Sequence, residues 1–285
     1  MVGVRPSRVF AFSAYEVKRA LARKKVLAMV AFTALLDTVP YYILSTSGTN
    51  LIPADLFPYL WVAGVLAPFS LFIQFIAILI AAGAMSEEYE AGTAELLLSK
   101  PVSRSEFLAG KFIGGYFLLA LLILLNAFLS LVAATLTYGP QAGLETLPGV
   151  ILVEVYSSAL FFSVAFMFGE LVRRSSLSYI LSSALIVSSQ IIGSYLQLAY
   201  EITGKAFYES IHVYLPTTVV GSLPLQYEQS LLPSSTGRLF SMILGPAGGT
   251  PSEPLAALMI AMYFLVAGGV ALVYFGTADV ARRIS

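Results

Sequence analysis

Six long apolar runs constrain the fold of this chain more than any other feature of its sequence. They lie at about residues 26–45, 60–84, 112–138, 150–172, 177–200 and 255–277. A helix needs about 20 residues to cross the hydrocarbon core of a bilayer, and each run reaches that length. Since lipid offers no hydrogen-bond partners, backbone polar groups must be satisfied within each run, which favours helices over strands. The sequence therefore predicts an all-α, polytopic membrane protein with six transmembrane helices.

The composition agrees with lipid as the solvent. Hydrophobic residues make up 58% of the chain and charged residues 11%, whereas soluble domains average about 25% charged residues. The formal net charge of +0 gives no reason to expect a nucleic-acid partner. Because the chain has no cysteine, disulfides, thiol catalysis and thiolate metal sites are excluded.

The basic residues predict how the spans are oriented. Only Lys205 and Arg238 fall on the side opposite the termini. The others lie in the N-terminal arm, the loops after the second and fourth spans, and the tail: Arg5, Arg8, Lys18, Arg19, Arg23, Lys24, Lys25, Lys100, Arg104, Lys111, Arg173, Arg174, Arg282 and Arg283. Because cytoplasmic loops carry an excess of Lys and Arg, both termini are expected in the cytoplasm. Residues 1–285 are predicted to form one transmembrane domain in the cell (plasma) membrane.

Residues 9–25, ahead of the first span, carry a helical pattern. Their apolar side chains recur at spacings of 4, 3 and 4 residues, at Phe10, Ala14, Val17 and Leu21. This spacing places them on one helix face and predicts an amphipathic helix at the cytoplasmic interface. The alternative is that the segment is only a charged lead-in to the first span.

Residues 201–254 are predicted to form a large external loop. The loop is rich in proline and glycine but still apolar. Its segment Val213–Leu225 is expected either to dip into the membrane or to pack on the ends of the spans.

The loop between the second and third spans, residues 85–111, concentrates charge in an otherwise apolar chain. It predicts a short helix over Glu88–Leu98 that Pro101 ends, because proline disfavours helix in the residue before it. Ser103 is then expected to cap the next helix, with Glu106 completing a capping box.

A short helix beneath the bilayer, acidic on one side and leucine-rich on the other, is typical of a docking element. Such a contact would let a chemical step in a soluble subunit push on membrane helices. Gly92 is expected to allow close approach of a partner backbone. The predicted partner-binding residues of this coupling helix are Glu88, Glu90, Gly92, Thr93, Glu95, Leu97 and Leu98, with Pro101 and Arg104 fixing the turn.

The same loop resembles that of type-2 ABC transporter permeases, the exporter-type membrane subunits that pair with a separate ATPase. The matching residues are Glu88, Glu90, Gly92, Thr93, Glu95, Leu97, Leu98, Pro101, Val102, Ser103, Arg104 and Glu106, followed by Gly110 and Lys111. Ala94 departs from the pattern, where Leu is more usual. The resemblance implies a dimer of permeases in which each copy clasps one ABC-type ATPase subunit through this loop. ATP and Mg²⁺ would be bound by the partner, and no cofactor is expected in this chain.

The chain itself offers no catalytic constellation. A P-loop needs G-x-x-x-x-G-K-[ST], but Gly110-Lys111 is followed by Phe112 and lacks the upstream glycine at that spacing. The single histidine, His212, cannot supply an H-E-x-x-H metal site. We therefore expect a permease and not an enzyme, with ATP hydrolysis in a partner subunit.

Polar residues inside the spans are candidates for a translocation path. They are Asp37, Gln74, Asn126 and Gln190. Asp37 is either the deepest acid or lies closer to the external interface, and the amides either line a path or join helices by hydrogen bonds. Glu154 and Glu170 lie near span ends and are expected at the interfaces.

Three rival functions stay open at the level of sequence. The chain could be an ion-coupled secondary transporter that uses Asp37, a non-transporting membrane anchor or assembly factor, or an intramembrane enzyme. The transported substrate and the choice between homodimer and heterodimer are left undetermined.

Overall fold

The fold, as a computed structural model, is described for residues 5–46, 53–94, 103–232 and 249–277. These residues form helices and no β-strand. The α-helices are α1 (Pro6–Leu21), α2 (Lys24–Thr46), α3 (Leu60–Pro68), α4 (Gln74–Glu90), α5 (Arg104–Tyr138), α6 (Leu147–Val172), α7 (Ser175–Thr203), α8 (Ala206–His212), α9 (Pro216–Leu231) and α10 (Glu253–Thr277). Short 3₁₀ turns at Ala54–Tyr59 and Leu144–Thr146 precede α3 and α6.

The prediction of six transmembrane helices is confirmed. Six helical stretches are long and apolar enough to cross a bilayer: Lys24–Ile43, Leu56–Glu90, Arg104–Tyr138, Leu144–Val172, Ser175–Thr203 and Glu253–Thr277. Successive spans run antiparallel, although the connection between the fifth and sixth spans is long and includes α8 and α9. The starts of α2, α5 and α7 therefore meet the ends of α4, α6 and α10 at one end of the bundle, which we call the basic end.

The second span is continuous but not uniform. A π-helical segment, Phe69–Ile73, separates α3 from α4 directly after Pro68. Proline has no backbone N–H and its ring displaces the carbonyl four residues earlier, so the helix widens at that point. The side-chain amide of Gln74 donates to the Phe69 carbonyl at 3.3 Å and satisfies one of the freed groups.

The core is centred on the second and fourth spans, while the other spans surround them. In the apolar stretch of each of these two spans, 67% is buried inside the bundle, against 22% in the first and last spans. Their contact is close because Gly169 of α6 lies against the backbone of Ala82 in α4, where a side chain would not fit. The peripheral helices expose large apolar side chains along their outer faces, as lipid-facing helices do.

The segment predicted as an external loop folds back into the bundle as a hairpin of α8 and α9. Its turn is held by the backbone N–H of Thr217, which donates to Ser189 Oγ at 3.1 Å. Ser189 lies about 21 Å along α7 from Thr203, at 1.5 Å per residue. From that level α9 returns along α6 and α10, with Val219 and Val220 in the core. Of the two predicted alternatives for Val213–Leu225, the fold favours a segment that re-enters the bundle.

Helix α1 packs on the bundle through a different face from the predicted apolar one. Glu16 and Ala20 are its buried residues, whereas Phe10 is 76% exposed and Leu21 43% exposed. The predicted apolar stripe is thus only partly in contact with the bundle, since Val17 packs against the core while Phe10 and Leu21 are exposed. Whether that stripe meets a membrane interface stays a prediction.

Candidate functional site

The helix of the second span continues below the point where the sequence predicted a separate one. Glu88 and Glu90 belong to α4, which ends at Glu90 rather than near residue 84. The break lies at Gly92, whose φ of +69° is a left-handed conformation that glycine adopts without strain. The requirement for glycine here is therefore set by the chain's own backbone. The predicted coupling residues Glu95, Leu97, Leu98 and Pro101 lie outside the described residues.

The predicted capping box at the start of α5 is confirmed. Ser103 Oγ accepts from the Glu106 N–H at 3.2 Å, and the Ser103 N–H donates to Glu106 Oε2 at 2.9 Å. Glu106 Oε1 accepts from the Arg5 N–H at 2.6 Å. Arg8 Nη1 lies 3.7 Å from Glu106 Oε2. The cap therefore joins the start of α5 to the start of α1.

Arg104 links the exit of the loop to the last helix. Its Nη1 donates to the Phe275 carbonyl at 3.1 Å and to the Gly276 carbonyl at 3.4 Å. A guanidinium at these carbonyls also suits the negative end of the helix dipole. The predicted role of Arg104 in fixing the turn thus has a specific anchor at the end of α10.

The centre of the basic end is a set of charges that we call the buried charge cluster, formed by Glu16, Arg19, Arg23, Glu87, Glu88 and Lys111. The fully buried Lys111 of α5 donates to Glu16 Oε2 of α1 at 2.7 Å and also to the Glu88 carboxylate of α4. One cation therefore joins three helices.

Two arginines of the N-terminal segment complete this cluster. Arg19 pairs with both oxygens of Glu16, at 2.9 and 3.1 Å, and with Glu88 at 3.2 Å. Its Nη2 also donates to the Gly83 and Ala84 carbonyls at 3.1 and 3.0 Å. Burial alone disfavours the guanidinium, but Glu16 and Glu88 raise the pKa of Arg19 above its ordinary value, so it stays charged.

Arg23 carries the cluster to its outer rim. Arg23 Nε lies 2.9 Å from Glu87 Oε2. Glu87 Oε1 in turn accepts from Lys25 at 2.7 Å and from the Tyr179 hydroxyl at 2.6 Å. These contacts attach α2 and α7 to the end of α4. At the exposed Tyr15, partial burial of the hydroxyl and the Glu88 carboxylate raise the pKa, and the ring lies 5.0 Å from Lys111 Nζ.

Close helix contact makes the charge cluster possible. Gly110 and Gly114 of α5 lie directly under α1, and a side chain at Gly114 would come within 2.8 Å of Ser13 Cα. This G-x-x-x-G spacing lets the two backbones approach, as small residues do in membrane helix pairs. Ser13 Oγ donates across the contact to the Gly110 carbonyl at 3.1 Å.

A second polar group ties α4 to the end of α6. The Tyr89 hydroxyl donates to both oxygens of the buried Glu170 carboxylate, at 2.7 and 2.8 Å. The guanidinium of Arg173 lies 4.7 Å from the Tyr89 ring centroid and 5.4 Å from that of Tyr274. Every helix that reaches the basic end is thus connected to α4 or to the flanks of the loop.

The predicted partner-binding residues Glu88 and Glu90 differ in exposure and in their contacts. Glu88 is 1% exposed and its carboxylate is occupied within the chain by Lys111, Arg19 and Thr93. Glu90 is exposed and accepts from the Ser175 N–H at 2.9 Å, capping the start of α7. The surface next to the loop therefore begins at Glu90, whereas the Glu88 carboxylate, two residues earlier, is buried and contacts residues of the same chain. Whether either residue binds a partner stays a prediction.

The predicted path residues fall into two groups. Asp37 and Asn126 meet in the interior, and the amide orientation that satisfies both places the nitrogen 3.0 and 3.1 Å from the carboxylate oxygens. They line a small cavity, with room for about one water molecule. Gln74 is buried at the π-helical segment. Gln190 lies apart from all three, exposed on the outer face of α7.

Sequence reasoning missed most of the buried charge cluster, although signals were present. Glu16, Arg19 and Arg23 are spaced by three and four residues, which places them on one helix face. Lys111 lies at the edge of an apolar run, where a cation needs a counter-ion. Only the fold shows that Lys111 of α5 forms an ion pair with Glu16 of α1.

The sequence model of a family described as ABC-2 family transporter protein matches residues 8–280. That range covers nearly the whole chain, including α1, the six spans and the loop after the second span. A search of curated proteins gave no match to the chain.

Proposed function

The chain belongs to the ABC-2 family of transporter proteins, and we propose from that premise that it is the permease subunit of an ATP-binding-cassette exporter. A separate nucleotide-binding subunit hydrolyses ATP and holds the Mg²⁺, while this chain supplies the path across the cell membrane. The basic end faces the cytoplasm, because it carries nearly all the lysines and arginines.

The buried charge cluster is the observation that carries this proposal. It connects the end of α4, just ahead of the loop, to α1, α2, α5 and α7. On the far side of the loop, Arg104 and Glu106 connect the start of α5 to α10 and α1. A push on residues 91–103 therefore reaches several helices at once through charged contacts that resist stretching.

Within this proposal the coupling residues take two different roles. Glu90, Gly92 and the loop that follows form the contact surface for the ATPase. Glu88 and Thr93 lie behind that surface, where Thr93 Oγ1 donates to the Glu88 carboxylate. They transmit the movement rather than bind the partner.

Photo-cross-linking in native membranes tests the contact surface. A photoreactive amino acid at Ala91, which is exposed beside the loop, is expected to form an adduct with a P-loop ATPase. The matched control is Leu144, which is 40% exposed at the opposite end and should give none. An ATPase adduct from Leu144, or none from Ala91 while the complex co-purifies in mild detergent, would reject this docking surface.

The second part of the proposal is a dimer of permeases with the path at their interface. Polar side chains follow the outer face of α7 at seven-residue spacing, at Ser176, Ser183, Gln190 and Gln197. Lipid offers no partner for the Gln190 amide, so a second copy and a hydrated path suit this face better. Since the chain lacks cysteine, Gln190→Cys tests the interface directly, with Leu265→Cys on the outer face of α10 as control. Oxidative dimers are expected only from the variant at Gln190, and dimers only at Leu265 would overturn this interface.

An ion-coupled secondary transporter is the second candidate, favoured by the buried Asp37–Asn126 pair beside its small cavity. It differs from the first candidate in its energy source. The test uses vesicles that contain the chain but no ATPase. Uptake that is driven by an ion gradient and is lost in Asp37→Asn would support the secondary transporter over the exporter.

A further inference from the structure

Two acids are buried without partners in the half of the bundle away from the basic end. Glu154 of α6 is 0% exposed and Glu228 of α9 is 1% exposed. Within the part of the chain that the structure describes, none of their four carboxylate oxygens has a hydrogen-bond partner. Ser157, one helical turn from Glu154, is also fully buried with an unpartnered hydroxyl. Side chains three apart share a helix face, so these polar groups concentrate on one side of α6.

The hairpin of α8 and α9 brings the two acids together. Helix α9 packs along α6, and the Tyr227 ring lies over Gly149, where any side chain would collide with it. Glu154 interacts electrostatically with Glu228 and more weakly with Asp37 of α2. All three charges have the same sign. No Lys, Arg or His within the described ranges forms an ion pair with any of them.

The surroundings of Glu154 and Glu228 indicate which kind of ligand the two acids can bind. An ionised carboxylate without a counter-ion or donor is very costly to bury, and such groups become neutral instead. A metal ion would need further ligands, but the described part of the chain contains no group of three acidic or histidine side chains that could hold one. The cavity beside Asp37 is lined by α2, α4 and α5 and does not include Glu154 or Glu228. A proton needs neither a cavity nor additional ligands.

We propose that Glu154 and Glu228 form a proton-binding site that docks the α8–α9 hairpin onto α6. With the hairpin docked, both carboxyls are enclosed and hold protons. When the hairpin separates from α6, Glu228 reaches water and releases its proton. The position of the hairpin and the occupancy of the site are thus linked, whether or not the chain is an exporter.

The sign of the pH dependence follows from Glu228. Burial raises the pKa of Glu228 to about 7, so the docked hairpin binds a proton that the undocked one releases. Docking is therefore strongest at low pH and weakens as the pH rises from the ordinary carboxyl range to about 7. A rise of two pH units within that range lowers the docking equilibrium constant on the order of 100-fold for this group alone.

Other titratable groups near the hairpin are few. Glu253 at the start of α10 is exposed, and Glu209 of α8 is partly exposed. Nδ1 of His212 lies 3.1 Å from the Gly249 carbonyl.

The single tryptophan of the chain provides the measurement. Trp61 belongs to the same buried apolar cluster as Leu225, which lies in α9, and Leu232, which follows the end of α9. The purified chain in lipid nanodiscs is expected to show a red shift of Trp61 emission and a lower melting temperature as the pH is raised from 5 to 9. Glu154→Gln/Glu228→Gln imitates the protonated pair, so both changes should be lost or strongly reduced.

Matched variants and salts make the test decisive. Glu145→Gln, an exposed acid just ahead of α6, should keep the pH response of the unchanged chain. If the double variant does not fold, Glu228→Gln alone should show a response smaller than that of the unchanged chain. An unchanged response in the Gln variants, or a response that rises with pH, overturns the proposal. Recovery of docking at pH 8 by Na⁺ or K⁺, at constant ionic strength against choline, would assign a metal cation in place of the proton.

Discussion

The two halves of the bundle bury acidic side chains in opposite ways. At the basic end, Glu16 and Glu88 share the fully buried Lys111, and arginines fill the remaining positions. In the other half, the carboxylates of Glu154 and Glu228 have no hydrogen-bond or ion-pair partner among the described residues. In the first arrangement each carboxylate is paired with cations of the same chain. In the second the acids lack a counter-ion, and under our proposal their burial depends on bound protons.

This difference assigns different tasks to the two halves. A network of fixed ion pairs keeps its geometry under load, which suits helices that must move as one body when a partner pushes on the loop. Two acids without a counter-ion can instead exist with or without their protons, and the balance between these states changes with pH. Under our proposal the position of the α8–α9 hairpin changes with that balance.

The largest effect is expected from breaking the paired end. Lys111→Met removes the fully buried one of the two cations that Glu16 and Glu88 share, and only Arg19 then contacts both carboxylates. Removing one partner of a buried ion pair costs about 3–5 kcal/mol, so the melting temperature in detergent should fall strongly. Lys18→Met, at an exposed lysine of α1, is the control and should change little. Equal stability of the two variants would show that the cluster does not hold the basic end together.

The helix contact beneath the cluster gives the next largest effect. A Cβ at Gly114 would come within 2.8 Å of Ser13 Cα and 2.9 Å of Glu16 Cβ. Gly114→Ala is therefore expected to push α1 away from α5 and to cost about 2 kcal/mol. At Gly268 of α10 a new Cβ meets nothing within 4 Å, so Gly268→Ala should be neutral or stabilising. Loss of stability in both variants alike would point to lost helix flexibility instead of a collision.

The spans and the capping box could be predicted because their determinants are local. Span length and hydropathy depend on consecutive residues, and Ser103 and Glu106 are three residues apart. The outward-facing role of Glu88 was inferred in the same way, from its position in a charged stretch. Its true partners, Glu16-bound Lys111 and Arg19, come from other helices. Local sequence shows that a charge is present but not which helix supplies its counter-ion.

The unpaired acids were hidden for a related reason. Glu154 was expected at an interface because it lies close to a span end, yet it is fully buried. It is covered by α9, a segment from the predicted external loop that returns into the bundle. No periodicity in residues 201–254 specifies this return, since it depends on contacts with α6, α7 and α10.

Replacing an unpaired acid should stabilise the protein, in contrast to the paired end. Glu154→Leu removes a buried carboxyl that makes no hydrogen bond and puts an apolar side chain in an apolar site. A gain of about 1–2 kcal/mol is expected from the avoided desolvation. The gain should be larger at pH 8 than at pH 5, since fewer protons are available to neutralise the acid. Melting temperatures at the two pH values measure it, with Glu145→Leu as the exposed control, and a loss at both would mean that the carboxyl has a stabilising partner.

The smallest effect tests whether the paired end depends on each of its contacts or on their number. Ser103→Ala removes one half of the capping box at α5, while the Glu106 carboxylate keeps the N–H groups of Arg5 and Ser103. A lost N-cap costs about 1 kcal/mol, so a small fall in melting temperature is expected, and Ser45→Ala at an exposed position of α2 should show none. Because Arg104 would still hold the end of α10, ATPase stimulation in the complex should persist. Loss of ATPase stimulation with little loss of stability would instead show that coupling requires this one contact at the start of α5. The basic end could then not be described as helices that move as one rigid body.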